Sequence, residues 1–454
     1  MHYDLIVIGS GGGTKISTPA AKLGKKVAII EKENYGGTCL NKGCIPSKML
    51  IHPANILAHV RDARKFGITT KNKVNFSELV KRISREIDAE SNSIPKSYDS
   101  IETLDHYEGH ARFINDTTVE VNGKQLSADT IIIATGTVPT VPKIPGLEGT
   151  PFMTSKEALR NTKLPKKLIV IGGGYIACEL GYAYSQFGSK THFLVRSGLI
   201  GHEDDEVREE FAKAFEKYHR MTYGTKILSV KHRFGMFTVE YEVEGKKHKT
   251  KGDGLLVATG VHPNTQKLGL ENTSVQITQR GFVAVDDHMK TRAENIYAIG
   301  DVVGNYLFRH SVNFEGEYLF GQLYGDEKKA AIAYPPMPHA VFSHPEVAGV
   351  GKTEKQLQDG TEYVVGKNSY KASAQGMARM PDYGFVKLLF DKKTKKLLGC
   401  HIIGDEASIM IHQAIYAMTY DATLDDLLNI IYIHPALPEV FRNACRKAKA
   451  QFDQ

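Results

Sequence analysis

The chain has 454 residues, of which 41% are hydrophobic and 24% charged, and its formal net charge is +7. This composition is typical of globular proteins and excludes disordered, collagen-like and coiled-coil classes. At roughly 150 residues per domain, the length predicts about three domains. The basic excess is small and accompanies no nucleic-acid motif, and no apolar run reaches the roughly 18 residues of a membrane span. We therefore expect neither nucleic acid nor a membrane as a partner.

Cysteine usage and the N-terminus indicate a reducing compartment. The sequence begins MHYDLIVIGS and lacks the charged region, long apolar region and cleavage site of a signal peptide. We therefore expect a cytoplasmic protein in which cysteine chemistry is redox or catalytic. Five cysteines are too few and too scattered for a secreted disulfide framework; they are Cys39, Cys44, Cys178, Cys400 and Cys445.

The first predicted unit is a strand, a glycine-rich turn, a helix and a second strand. The apolar run DLIVIG at 4–9 leads into the turn, and the strand VAII ends at Glu31. Gly9 allows a tight turn, and Gly11 lets the backbone approach a pyrophosphate at the helix N-terminus. The third glycine of the fingerprint is Thr14. Glu31 is placed to accept hydrogen bonds from a ribose diol, so the unit predicts a bound dinucleotide.

The segment GGTCLNKGCIPSK, residues 36–48, follows that unit. The spacing of Cys39 and Cys44 is not that of a zinc site, and no second pair completes one, so we predict no metal. An ideal helix would separate the two cysteines by about 7.5 Å of rise, too far for a disulfide. The chain must therefore be distorted there, with Gly43 supplying the freedom. We interpret the pair as a labile redox disulfide; the alternative is an inert disulfide or two buried thiols.

A second dinucleotide unit begins with KLIVIG at 167–172. It has Gly172, Gly174 and Ala177 at the fingerprint positions, and Arg196 at the position that corresponds to Glu31. A guanidinium offers bidentate donors to a 2′-phosphate, and His202 can add another donor. We therefore predict NADP(H) rather than NAD(H).

The remaining chain completes the domain plan. Each unit closes with the tripeptide ATG, and the Pro-rich stretch 138–149 between the units reads as a linker. A strand is predicted at 295–301 and a helix at 311–324, and beyond 346 strands alternate with helical patterns, including one helix in SIMIHQAIYAMTY. The predicted domains are a first dinucleotide-binding domain at 1–149, a second at 150–270, a central segment at 271–335 that completes the first, and an α+β association domain at 336–454.

These features together resemble the FAD-dependent pyridine nucleotide-disulfide oxidoreductases, from residue 4 to about residue 445 in the family's order. The resemblance implies an α/β fold of two tandem Rossmann-like dinucleotide-binding domains and an α+β C-terminal dimerisation domain. It implies FAD beside Gly9, Gly11, Gly12, Glu31, Thr38, Lys48, Ala111, Thr135, Gly136 and Asp301. It implies NADP beside Gly172, Gly174, Tyr175, Ala177, Arg196, His202 and Gly260, with Tyr175 as an aromatic lid.

The resemblance also implies catalytic roles. Cys44 would face the flavin as a charge-transfer thiolate, and Cys39 would exchange with substrate. Lys48 would form an ion pair with Glu179 beside the flavin. Thiol–disulfide exchange needs an acid and a base, which an imidazole near neutral pKa provides. The resemblance assigns that role to His434 oriented by Glu439 and supplied by the other subunit of a homodimer.

The substrate class stays open among several readings. The chain resembles dihydrolipoamide dehydrogenases, which exchange electrons between a lipoyl dithiol and a nicotinamide nucleotide, although Arg196 and Tyr432 depart from them. The alternative within the family is an NADPH-dependent reductase of a low-molecular-mass disulfide, similar to mycothione reductase. Mercuric and glutathione reductases are disfavoured because a C-terminal cysteine pair and the tripeptide-binding arginines are missing. A different class, a non-turnover FAD-binding redox sensor or a flavin oxidase, is also kept.

Overall fold

The computed structural model of the protein describes residues 1–327, 329–358 and 360–452. The strands there, β1 to β21 in chain order, are His2–Ile8, Val27–Glu31, Leu104–Glu108, Arg112–Asn115, Thr118–Val121, Lys124–Ile133, Thr137–Pro139, Lys167–Ile171, Lys190–Leu194, Arg220–Thr222, Lys226–Arg233, Met236–Val243, Lys246–Gly252, Gly254–Val257, Val261–Pro263, Ile296–Ala298, His339–Val341, Val347–Gly351, Tyr363–Ser369, Phe385–Asp391 and Leu397–Ile403.

The helices of the same described residues are numbered α1 to α14 in chain order. They are Thr14–Lys22, Gly37–Lys42, Cys44–Asp62, Phe76–Asp99, Ser155–Ala158, Tyr175–Gln186, Asp205–Phe215, Arg309–Tyr324, Glu354–Leu357, Ala374–Ala378, Ala407–Met410, His412–Thr419, Leu424–Asn429 and Pro438–Phe452. None of these helices combines the length and the apolar character that crossing a membrane requires.

The first sheet has the order β3-β2-β1-β6-β5-β4, with β16 also paired to β6. Strands β3, β2, β1, β6 and β16 run parallel, whereas β4 and β5 extend the sheet in antiparallel fashion. The run Leu5 to Ile8 is buried on both faces, which is why it reads as a continuous apolar stretch. The structure confirms the first Rossmann-like unit.

The second sheet has the order β10-β9-β8-β14 and is parallel throughout. An antiparallel sheet of β11, β12 and β13 follows it in sequence, and its inward residues share a core with those of β8 and β14. The second Rossmann-like unit is therefore also confirmed. Its sequence signal was as local as that of the first, an apolar strand followed by a glycine turn.

The C-terminal domain is a five-stranded antiparallel sheet in the order β17-β18-β21-β20-β19, covered by helices. Helix α14 lies close on β19, where a Cβ on Gly366 would approach the carbonyl oxygen of Ala444 to 2.2 Å. The predicted α+β domain is confirmed. The single helix expected over SIMIHQAIYAMTY is divided into two helices, α11 and α12, by a one-residue interruption at Ile411, whose backbone angles stay helical.

The described chain divides into two compact units. The first comprises Met1–Ser47, Glu78–Thr140 and Gly260–Ala333, and holds the first sheet. The second comprises Lys48–Ser77, Val141–Thr259 and the chain from Tyr334 onward, and holds the second sheet and the C-terminal sheet.

A buried lysine lies within the second unit. Lys387 on β20 is 1% exposed, and its Nζ lies 2.9 Å from Asp204 Oδ1, 2.8 Å from Glu206 Oε2 and 2.5 Å from Glu354 Oε2. Burial alone would raise the pKa of Asp204, but the hydrogen bond and charge of Lys387, together with His401 and the Glu354 amide, outweigh burial and the pKa is lowered. Asp204 therefore stabilises the fold above its unfolded pKa, and this stability is lost as the pH falls through its folded pKa.

Lys387→Met is expected to lower the free energy of unfolding by about 3 to 5 kcal/mol, because it leaves the buried Asp204 carboxylate without its cation. Urea denaturation at neutral pH measures this. Lys367→Met is the matched control, since Lys367 pairs with Glu206 at 2.8 Å but is 40% exposed. Its expected cost is below about 1 kcal/mol. Equal costs for the two variants would contradict the role given to the buried pair.

Candidate active site

The first glycine loop joins β1 to α1. Gly9 has φ 107°, and a Cβ there would lie 2.4 Å from the carbonyl oxygen of Ala134. A Cβ on Gly12 would lie 2.2 Å from a methyl group of Val312, while the Cβ of a residue at 11 would meet only the backbone of Gly37. The loop is thus enclosed by backbone and by the Val312 side chain, and it opens on the start of α1, which suits a pyrophosphate.

Glu31 at the end of β2 braces this loop. One carboxylate oxygen accepts hydrogen bonds from the amide and hydroxyl of Ser10, at 3.0 and 2.7 Å, and the other accepts from the amide of Glu33 at 3.0 Å. A carboxylate offers about four acceptor sites, so Glu31 retains capacity for a ribose diol.

Other polar groups of the first unit fit FAD. Asp301 Oδ2 accepts a hydrogen bond from Thr137 Oγ1 at 2.9 Å, and burial raises the pKa of Asp301. Thr135 Oγ1 is buried and has no hydrogen-bond partner within the part of the chain that the structure describes. Gly136 has φ 66°, and Ala111 is buried. A ribityl chain would supply hydroxyl donors to such acceptors, so these residues and the glycine loop fit the cofactor.

The two cysteines of the GGTCLNKGCIPSK segment lie on separate helices. Cys39 is half-buried within α2, α3 begins at the exposed Cys44, and Gly43 between them has φ −140° and ψ −118°. A Cβ on Gly43 would lie 2.9 Å from the carbonyl oxygen of Thr38, whose side chain is exposed. The helix is therefore interrupted between Cys39 and Cys44, as the spacing of the two cysteines in the sequence predicts.

The other three cysteines are buried and lack a disulfide partner among the described residues. Burial raises the pKa of Cys178, of Cys400 and of Cys445, the last to about 12. Thiols of this kind react slowly because the thiolate is the nucleophile. Their environment suits packing rather than electron transfer.

Lys48 and Glu179 meet within the second unit. Lys48 Nζ lies 2.8 Å from Glu179 Oε2 and 4.2 Å from the ring centroid of Phe342. The other carboxylate oxygen of Glu179 accepts a hydrogen bond from the Phe342 amide at 3.0 Å. Both oxygens of this largely buried carboxylate are thus engaged, which fixes the position of the lysine.

The second glycine loop joins β8 to α6. Gly172 has φ 133°, and a Cβ there would lie 2.2 Å from the carbonyl oxygen of Ala258, whereas a Cβ on Gly174 would meet nothing within 4 Å. Ala177 is buried within the first turn of the helix. The start of α6 is therefore open for a phosphate group.

The predicted phosphate donors lie on the loop after β9. Arg196 and His202 are exposed, and neither has a side-chain hydrogen bond or ion pair with any other described residue. Both are thus available to an anionic ligand. Gly260, which was predicted beside the same nucleotide, belongs to the first unit, and its carbonyl oxygen accepts a hydrogen bond from the Thr140 amide.

Sequence reasoning missed two residues near this loop. Glu203 and His339 both contact Tyr175, the first residue of α6. They are 28 and 164 positions from Tyr175 and belong to no motif. The only signal was the run of four acidic residues, 203–206, after His202, and such a run is also typical of an ordinary helix start, here that of α7.

His434 and Glu439 form a hydrogen-bonded pair. Nδ1 of His434 lies 3.1 and 3.2 Å from the two carboxylate oxygens of Glu439, which also receives Arg442 at 2.8 Å. The hydrogen bond from His434 lowers the pKa of Glu439, so the carboxylate is ionised at neutral pH. With Nδ1 held as a donor, Nε2 is available for proton transfer, and the imidazole is 71% exposed.

Exposed apolar residues lie close to His434 in the sequence. Large hydrophobic side chains there remain exposed, including Ile431 at 99% and Ile433 at 78%. With Ile430, three of four consecutive residues are exposed isoleucines, and we expect such a cluster to be covered by a partner. The others among the described residues of the C-terminal domain are Met377, Met380, Ile409, Tyr416 and Tyr420.

Comparisons with known proteins agree with this geometry. The family model for pyridine nucleotide-disulphide oxidoreductases matches residues 3–316, and the model for their dimerisation domain matches residues 337–445. The mitochondrial dihydrolipoyl dehydrogenase of Caenorhabditis elegans is 35% identical over 97% of this chain and 91% of its own length. Dihydrolipoyl dehydrogenase of Corynebacterium glutamicum is 33% identical over 98% and 97%. The HOCl-induced flavoprotein disulfide reductase of Escherichia coli superposes with a TM-score of 0.87 at 27% identity, over 99% of both chains.

Proposed function

Because the chain belongs to the pyridine nucleotide-disulphide oxidoreductase family and is an FAD-dependent disulfide oxidoreductase, we propose that Cys39 and Cys44 exchange electrons with a dithiol of the lipoyl type. The observation that carries the proposal is the placement of the two cysteines on either side of the break at Gly43, with a hydrogen-bonded His434–Glu439 pair in the same chain. Relatives named dihydrolipoyl dehydrogenase, at 33 to 35% identity, support the substrate class.

The residues perform the exchange as follows. In the reductive direction, the Cys39 thiolate attacks one sulfur of the substrate disulfide, forming a mixed disulfide and releasing the other sulfur as a thiolate, which His434 protonates. Cys44 then attacks the Cys39 sulfur, which re-forms the Cys39–Cys44 disulfide and releases the second thiol. Dithiol oxidation reverses both steps.

FAD, when bound, supplies the two-electron chemistry that links this dithiol to a nicotinamide. Gly9, Gly11, Gly12, Glu31 and Asp301 would hold it, together with Thr38, Lys48, Ala111, Thr135 and Gly136. His434 would act in the other subunit, since it is exposed beside an apolar surface on the matched dimerisation domain, and that match supports a homodimer.

The substrate proposal is tested by steady-state assays of NADH and NADPH against lipoamide and glutathione disulfide. We expect turnover of lipoamide, in both directions, and little turnover of glutathione disulfide. Turnover of glutathione disulfide without lipoamide would reassign the chain to reduction of low-mass disulfides.

Arg196 supports NADP(H) as the nucleotide, because an exposed guanidinium without a protein partner matches a 2′-phosphate. Arg196→Glu is expected to raise the KM for NADPH by about tenfold or more, since it removes a charge-assisted contact and adds repulsion, while NADH is little affected. Arg220→Glu is the matched control, an exposed arginine at the amino end of β10, opposite the nucleotide edge of the sheet. A wild-type preference for NADH would overturn this assignment.

A further inference from the structure

Tyr175 is held in place beside the second glycine loop. It is the first residue of α6, directly after Gly174, and its hydroxyl donates a hydrogen bond to Glu203 Oε1. Its ring stacks on the imidazole of His339, with centroids 6.2 Å apart and planes 23° from parallel. Both the hydroxyl and the ring face of this tyrosine are therefore held by residues from outside its own helix.

Glu203 is unusually placed for a carboxylate. Its side chain is completely buried, and its oxygens lie 3.0 Å from Nε2 of His339, which can donate a second hydrogen bond. The space for this pair depends on Gly349 of β18, where a Cβ would lie 2.7 Å from His339 Nε2 and 3.3 Å from Glu203 Oε2. A buried carboxylate needs such donors, because unpaired it would be strongly destabilising.

The nearby buried cation, Lys387, does not pair with Glu203. Lys387 pairs with Asp204, Glu206 and Glu354. The contacts that the structure gives the Glu203 carboxylate are the Tyr175 hydroxyl and the His339 imidazole. Hydrogen bonds to an ionised acceptor are stronger than neutral ones, so the bond to Tyr175 holds the ring firmly.

We propose that Glu203 and His339 are positioning residues that hold Tyr175 across the second glycine loop, and that a nicotinamide dinucleotide must break the Tyr175–Glu203 hydrogen bond to bind. The inference rests on the proposed function, in which the chain uses NADP(H); the open start of α6 would receive the pyrophosphate of that nucleotide. A dinucleotide that extends from that point past the first residue of the helix meets the Tyr175 ring. Part of its binding free energy is then used to release the hydroxyl from Glu203.

A double-mutant cycle on the oxidised holoenzyme tests this, with calorimetric dissociation constants for NADP⁺ and NAD⁺. Tyr175→Phe keeps the ring and removes the hydroxyl, and Glu203→Gln keeps the shape and removes the charge. Each is expected to tighten binding of the preferred nucleotide by about five- to tenfold, because a hydrogen bond no longer has to be broken. The double variant is expected to bind no more tightly than the better single variant, since both remove the same interaction.

Tyr182→Phe is the matched control, because Tyr182 lies on the same helix and its hydroxyl donates to Asn55 Oδ1 at 2.7 Å. Its affinity for nucleotide should equal that of the wild type. Unchanged or weaker nucleotide binding by Tyr175→Phe would overturn the proposal. This result is decisive even if Glu203→Gln does not fold. Additive effects in the cycle would also overturn the proposal. A wild type that binds neither nucleotide would overturn the proposed function as well, which separates the two failures.

Discussion

Replacing Cys39 by serine is expected to lower the rate of lipoamide turnover by at least about a thousandfold while FAD remains bound. A serine hydroxyl is not ionised at neutral pH and cannot form a disulfide with Cys44, so both the attack on substrate and the internal exchange are lost. Steady-state turnover per bound flavin measures the loss, and the flavin absorbance of the purified variant measures cofactor retention. Cys445→Ala is the control, because that thiol is buried in the C-terminal core and its pKa is raised.

The two cysteines are distinguished by comparing Cys39→Ser with Cys44→Ser. With Cys44 as the thiolate beside the flavin, the oxidised Cys39→Ser variant should show a long-wavelength absorption band without any reductant, and Cys44→Ser should not. Full turnover by Cys39→Ser would sink the exchange mechanism. If Cys44→Ser showed the band and Cys39→Ser did not, Cys39 would be the thiolate beside the flavin and Cys44 the thiol that exchanges with substrate.

His434→Gln is expected to slow disulfide exchange by about 10² to 10⁴-fold, the usual contribution of a general acid–base. Reduction of the flavin by nucleotide should stay at the wild-type rate in a stopped-flow measurement, because no proton from His434 enters that half of the reaction. Glu439→Gln should have a smaller effect, since it disturbs orientation and not the imidazole itself, and should shift the pH profile of turnover. Equal losses in both half-reactions would show that His434 is structural.

Subunit complementation tests whether His434 acts on the partner subunit's cysteines. Cys39→Ser and His434→Gln homodimers should each be inactive. When the two chains are co-expressed, a mixed dimer contains one intact site if the site is shared between subunits, so random assembly should restore about a quarter of wild-type activity. An absence of recovered activity in isolated mixed dimers would place His434 and Cys39 of one chain in the same site.

Much of the fold could be predicted because its signals are local. The runs that became β1 and β8 are apolar on both faces and end in glycines that no other residue could replace at those backbone angles, so two Rossmann-like units followed from sequence. The break between Cys39 and Cys44 could be predicted because a continuous helix would hold the two residues farther apart than the Cα–Cα distance of a disulfide.

The features that escaped prediction depend on distant parts of the chain. Lys387 stands in the run FVKLLF, and nothing in that strand indicates three acidic partners from α7, its cap and α9. Tyr175 was predicted as a lid, but Glu203 and His339 come from segments that only the folded structure brings to it. The split between α11 and α12 was missed because the apolar period continues through Ile411.

The central claim is that Cys39 and Cys44 stand between the flavin and the substrate. It is tested most directly by anaerobic titration of the FAD-loaded protein with NADPH or NADH, followed by its absorption spectrum. We predict that the first two electrons per flavin produce a long-wavelength band from the Cys44 thiolate beside oxidised flavin, and that Cys44→Ser lacks this band. Direct bleaching of the flavin in the wild type without such a band, followed by oxygen uptake when air is admitted, would contradict the account.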